Sequence, residues 1–188
     1  MKSFFLLLLC MPIIAFSQGG YLPGYIIMNN GDSLHGLVKH INALPYQVLV
    51  REVKFRDEQT GKKSEFTPEQ VKEFRTEEDT TRFIPLAVMG DTSMDFVAVM
   101  AEGYLNYYQL QETTGPGRSN HYEIFQKKND SLQFWYTAGD IFFGFKKKIT
   151  QYLSDDPALC AKIMNGTYKE KQILDIVKEY NSFHAGVQ

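Results

Sequence analysis

Residues 24–39 read GYIIMNNGDSLHGLVK, and their reading decides the fold. Apolar residues flank Asn29-Asn30-Gly31-Asp32, and Asn-Gly between apolar runs is the strongest short hairpin signal because its turn needs φ > 0. Taking Asn30 and Gly31 as a two-residue loop predicts that Ile27 faces Leu34, Tyr25 faces Gly36 and Pro23 faces Val38. Tyr25 would then cover the bare backbone of Gly36. A hairpin here templates the strands that follow, so a β-rich body is expected.

The next stretches agree. Residues 46–55, YQVLVREVKF, carry apolar residues on one parity up to Val50 and on the other from Val53, which predicts a bulge near Arg51-Glu52 or a strand whose two halves face different layers. Residues 56–65 read as a polar loop turning at Gly61. Thr67, Pro68 and Gln70 spell a helix start, and Val71 and Phe74 lie three apart, so a turn or two of helix is expected over 68–74. Strands are expected at 82–89, 94–101 and 104–111, then a flexible loop at 113–120 (TTGPGRSN). Residues 122–126 and 131–136 form a second hairpin around Lys127-Lys128-Asn129-Asp130.

Downstream the period changes from 2 to 3.6. Phe145, Ile149, Tyr152 and Leu153 form one stripe. Asp156 caps a second helix with Pro157 in its first position, and Gly166 ends it. Ile173, Val177, Tyr180 and His184 make the stripe of a third. Short spacings and no long helices between strands favour antiparallel pairing. The expected class is α+β: a mostly antiparallel β-rich body (sheet, sandwich or open barrel) over 18–144, and a cap of two to three short helices over 145–188.

Residues 1–17 read as a signal peptide: Lys2, an apolar run from Phe4 to Phe16, and small Ala15 and Ser17 before a cleavage point after Ser17. Removing Lys2 with the leader leaves 19 basic against 22 acidic residues, a formal charge of −3 over 171 residues. No basic surplus exists to hold a phosphate backbone, so nucleic acid is not an expected partner. No later run is long enough for a transmembrane helix, so the mature chain is expected to have no span. One cysteine, Cys160, remains; it sits in an apolar helical pattern and reads as a packed thiol. Lys146-Lys147-Lys148 reads as a solvated helix face, with a patch for anionic lipid as the alternative.

Few motifs carry chemistry. His35, His40, His121 and His184 show no metal-ligand spacing, and no nucleophile elbow or phosphate loop appears, so no catalytic residue, metal or cofactor is expected. Glu102, Glu123 and Asp140 are candidates for a carboxylate pair by location only. The body is rich in aromatic residues between 104 and 145; packing explains most of them. Phe134 and Tyr136 share one strand face and Trp135 takes the other, so both faces need cover from a layer or a ligand. The expected ligand-binding residues are Tyr104, Tyr108 and Trp135, offering flat apolar faces with polar edges.

The opening GYIIMNNGDSLHG, the segment FTPEQVKEF and the tail YLSDDPALCAKIMNGTY through ILDIVKEYN are similar to a group of exported proteins of Bacteroidetes bacteria. The resemblance implies a Gram-negative envelope, periplasmic or extracellular. It brings no established activity and no catalytic residues. The functional expectation is a non-catalytic, soluble envelope protein binding a partner, glycan or apolar ligand. The alternatives are a small hydrolase acting on envelope material, or a structural or stress-response component without a small ligand.

Overall fold

The computed structural model describes residues 20–39, 51–77, 81–88, 90–115, 118–131, 133–137 and 141–186. The leader, His40, residues 46–50, Glu78-Asp79, the Pro116-Gly117 tip and Asp140 lie outside the described residues.

Ten strands form one sheet among the described residues: β1 (Tyr21–Met28), β2 (Ser33–Lys39), β3 (Val53–Arg56), β4 (Lys63–Phe66), β5 (Val71–Thr76), β6 (Arg82–Ala87), β7 (Met94–Ala101), β8 (Leu105–Gly115), β9 (Arg118–Lys127) and β10 (Gln133–Thr137). Their order is β10-β9-β8-β7-β6-β5-β1-β2-β3-β4, and every neighbouring pair is antiparallel. Helices α1 (Ile141–Tyr152), α2 (Pro157–Met164) and α3 (Ile173–Ala185) follow, the last preceded by a single 3₁₀ turn at Glu170–Gln172. The expected α+β class, antiparallel body and helical cap are what the chain adopts.

The hairpin exists, in a register one residue away from the expected one. Met28 donates to the Asp32 carbonyl at 2.8 Å, and Gly31 donates to the Met28 carbonyl at 3.0 Å. Only Gly31 takes a positive φ, +92°. This is a three-residue loop, a turn through Asn29 and Asn30 followed by a left-handed glycine. Gly24 therefore faces Gly36, and Tyr25 faces His35. The cover over Gly36 comes from Phe55 on β3: a Cβ added to Gly36 would lie 2.6 Å from the ring's Cζ.

The helix expected over 68–74 is a turn followed by strand β5. The same signals serve both. Thr67 donates its N–H to Gln70 Oε1 (2.9 Å), Gln70 donates back to the Thr67 carbonyl (3.0 Å), and Pro68 supplies the fixed φ that a β-turn also wants at its second residue. Val71 and Phe74 are both buried although three apart, because Met28 faces Val71 while Ile27 faces Glu73. The extra residue, Lys72, shifts the strand's phase and imitates helical spacing.

Two loops are shorter than expected. Lys63–Phe66 pairs as β4, leaving a tight turn in which Gly61 has φ +70°. The flexible loop at 113–120 is mostly strand, since β8 and β9 stay paired to Gly115 and Arg118.

The sheet curls in two directions. Arg51, just before β3, reaches Asp95 on β7 at 3.6 Å. A flat sheet would hold strands five places apart at about 24 Å. This half closes on Ile26, Val38, Phe55, Val71, Phe74 and Phe96. At the other end, Gln133 on β10 donates to the Ala87 carbonyl of β6 at 2.8 Å, where a flat sheet would separate them by about 19 Å. That half gathers Val97, Tyr108, Leu110, Tyr122 and Ile124 on the opposite face. The helices cover the face that this second curl leaves outside. Leu105, Tyr107, Phe125 and Tyr136 pack there under Phe145, Ile149, Leu159, Val177 and Tyr180.

The caps follow the sequence. Asp156 accepts from the Leu159 N–H (3.0 Å) with Pro157 next. Gly166 at φ +84° ends α2: its N–H meets the Ile163 carbonyl, and that of Thr167 meets the Lys162 carbonyl. Among the described residues no helix is long and apolar enough to cross a membrane.

Candidate functional site

The β9–β10 turn and α1 make the walls of an open groove. Asn129 turns the chain at φ +66°, tolerable for an asparagine, and Gln126 braces the turn by donating to the Asp130 carbonyl at 2.8 Å. Lys127 donates its backbone N–H to the Tyr152 hydroxyl at 3.1 Å, which ties the turn to α1. Between these elements lies a cleft of about 590 Å³. Phe134 and Tyr152 give it aromatic surface, Gln151 an amide, and Lys127, Lys148 and Asp130 charge; Gln133 and Trp135 border it on β10, with the Gln133 amide held by the Ala87 carbonyl.

Trp135 is the chain's only tryptophan and is 40% exposed. Its ring meets Tyr122 in a T-shaped contact at 6.0 Å, on the sheet face opposite the one that the helices cover. Phe134 lies near-parallel to Tyr152 at 5.4 Å and near Phe125 at 5.7 Å. Burial pushes the Tyr152 hydroxyl up in pKa, so it stays neutral; it accepts from the Lys127 N–H and donates to the Phe125 carbonyl at 3.4 Å.

Below the groove sits a polar clamp. Asp155 accepts from Lys127 Nζ (2.8 Å) and Tyr180 (2.6 Å), and His184 Nε2 lies 3.1 Å away. Burial would raise the Asp155 carboxyl, but the hydrogen bonds from Lys127 and Tyr180 outweigh it and hold it below the usual range. Burial, then the bond to Asp155, pushes the Tyr180 hydroxyl well up. The Lys127 ammonium also lies over the Tyr152 and Tyr180 rings, at 5.2 and 5.4 Å.

The three expected ligand-binding residues are dispersed. Trp135 lines the groove. Tyr104 stacks on His184 at 3.8 Å and packs against the helix cluster. Tyr108 lies on the other sheet face, 6% exposed. Phe134, Tyr152 and Lys148 belong to the groove and were not singled out by sequence reasoning. The nearest signal was a lysine-bearing hairpin turn and a lysine run 18 residues later, whose meeting is tertiary.

The carboxylate candidates do not pair. Glu102 binds Arg82 at 2.5 Å, and Arg82 also binds Glu73 at 2.9 Å. Glu123 is 7% exposed on the helix-facing side of β9. It accepts from Tyr107 (2.5 Å) and Gln109 (3.4 Å), with His121 Nε2 at 3.1 Å. Such a surrounded carboxylate stabilises the sheet by satisfying its neighbours. His35 bonds Ser33 at 3.0 Å at the surface. Cys160 sits against the Thr150 and Leu153 carbonyls at 3.3 and 3.2 Å, and burial pushes its thiol up. Among the described residues no three His, Cys, Asp or Glu side chains gather into a metal-binding set.

No family model matches the chain, and no curated protein and no solved structure matches it.

Proposed function

We propose that this protein is a non-catalytic binding component of the cell envelope, exported through its N-terminal leader, and that the groove between β10 and α1 receives its ligand. One observation carries the reading: the sole tryptophan stands 40% exposed on β10, its ring against Tyr122 on the sheet face away from α1, where that strand borders an open cleft lined by the rings of Phe134 and Tyr152. Burying a large aromatic side chain is worth roughly 1.5–3 kcal/mol, so an indole half in water on a folded surface marks a contact surface. The amides and charges around it supply orientation. A ligand with a flat apolar face and a polar rim fits: a glycan, or an apolar moiety on a partner.

The hydrolase alternative would place its acid or base at Glu123 or His121. Glu123 is buried and already holds its neighbours, so nothing favours that reading over binding.

Trp135 is its own reporter, because all tryptophan emission comes from β10, the strand that borders the groove. Titrating the protein with panels of oligosaccharides, peptides and detergent-dispersed lipids should give a saturable emission shift with one class, lost in Trp135→Phe by calorimetry. Calorimetric binding that leaves the emission unchanged would put the site elsewhere.

A further inference from the structure

We infer that the groove receives an extended segment of a partner protein, which adds to the sheet as a strand along the outer edge of β10; this rests on the groove reading above. The contrast between the sheet's two edges carries the argument. Strands β4 and β10 end the strand order. β4 (KSEF) holds Lys63 and Glu65, and Lys54 beside it pairs with Glu52 at 3.0 Å and Glu65 at 2.9 Å. Charge of that kind blunts an edge against pairing with another chain. β10 (QFWYT) carries no charge and no proline, and three of its five residues are aromatic. β9 lies on one side of it, and no strand among the described residues lies on the other.

The groove follows that edge. Successive strand residues point to opposite faces, so Phe134 packs with the helices while Trp135 meets Tyr122 on the other side. Both border the groove, which therefore runs beside the strand rather than over one face. Helix α1 overhangs it. Cys160 of α2 sits against the Thr150 and Leu153 carbonyls, which places α2 on that side of α1. The exposed Lys148 and Gln151 lie on the opposite flank, and both line the groove. An added strand uses both faces at once: side chains of one parity meet Phe134 and Tyr152 under α1, and those of the other meet Trp135. The aromatic rings call for apolar or uncharged side chains, with Lys148 set against Asp130. Main-chain hydrogen bonds to an edge are what a peptide strand supplies and a glycan or lipid does not. A second copy of this chain is disfavoured, because a two-fold across β10 would turn the Lys148 flanks of two α1 helices toward each other.

The test uses the acetylated, amidated heptapeptide STVTVTS and two analogues, N-methylated at alternate residues along one strand edge or along the other. Trp135 emission, calorimetry and amide hydrogen exchange are read on the full chain. The parent peptide should shift the emission saturably and slow exchange at alternate amides of β10. One analogue should bind about tenfold more weakly and the other like the parent, because only one edge of an added strand faces β10. Trp135→Lys, which puts a charge on the edge strand, should weaken the parent peptide about tenfold. Equal binding of all three peptides would overturn strand addition and leave the groove reading standing. So would an emission shift with an oligosaccharide or lipid and none with the peptide. Exchange slowed in β4 instead of β10 would overturn the choice of edge. A dimer in sedimentation that Trp135→Lys dissociates would overturn the partner assignment in favour of a second copy. Silence across the wider panel as well would overturn the groove reading with it.

Discussion

Replacing Gly36 with alanine tests how the curled half of the sheet is built. A strand glycine normally weakens a strand, and filling it with alanine gains roughly 0.5–1 kcal/mol where space allows. Here space is absent. The new Cβ would stand 2.6 Å from Phe55 Cζ, 2.9 Å from Phe55 Cε2 and 2.9 Å from the Arg56 carbonyl oxygen. The ring can swing, but it is 5% exposed and packed in the cluster with Val38 and Phe74. The carbonyl belongs to the β2–β3 ladder and cannot move without loss of pairing. Overpacking of this kind costs about 1–3 kcal/mol, so it outweighs the glycine gain and leaves a net loss of about 1–2 kcal/mol. For a chain of this size that lowers Tm by roughly 2–8 °C. Thermal unfolding followed by far-UV circular dichroism reads the shift. In a Phe55→Leu background the penalty should shrink by about 1 kcal/mol; in a Tyr25→Leu background it should not change. An unchanged or raised Tm for Gly36→Ala would refute the close approach. A penalty relieved by Tyr25→Leu instead would restore the register in which Tyr25 faces Gly36.

Other outcomes follow from the same contacts. Gly31→Val forces a β-branched residue to φ +92° with no contact to relieve it, so a loss of about 1–3 kcal/mol in urea unfolding is expected, and unchanged stability would contradict the left-handed turn. Asp156→Ala removes the α2 cap and should cost about 1 kcal/mol, with Asp156→Asn closer to wild type. Asp155 titrates below its ordinary 3.8 when folded, so its contribution is present above that pH and is lost as the pH falls through the lowered value. Asp155→Asn should therefore flatten the acid limb of the stability–pH curve, and an unaltered limb would deny the clamp. Cys160, with its thiol raised by burial and bonded to helix carbonyls, should resist iodoacetamide at pH 7.5 in the native state and react on unfolding.

Local signals carried far along this chain. Strand β7 and the Asp156-Pro157 cap lie where the residues place them, because each rests on near neighbours. Signals shared by two structures misled. Thr67-Pro68-Glu69-Gln70 satisfies a β-turn as well as a helix start, and only the neighbouring strand β1 decides. Lys72 in its bulge produced a three-residue spacing that no strand period predicts. The loop at 113–120 carried turn residues within a ladder whose long pairing overrides their propensity. The groove was half legible: Trp135, on the strand that borders it, stood out by type, whereas Phe134, Tyr152 and Lys148 come together only after α1 folds back against β10. Tyr104 and Tyr108 belonged to the same aromatic run, but Tyr104 precedes β8 and packs with the helices while Tyr108 sits within β8 on the other face, so sequence proximity did not bring them together.

The central claim is that ligand binds between β10 and α1. A ¹⁵N–¹H correlation map of the labelled protein, titrated with the same oligosaccharides, peptides and dispersed lipids, tests it residue by residue. The account predicts saturable shifts concentrated in the β9–β10 turn, β10 and Lys147–Tyr152. Shifts gathered around His121 and Glu123, or on the β1–β2 hairpin, with the Trp135 indole unmoved, would contradict it.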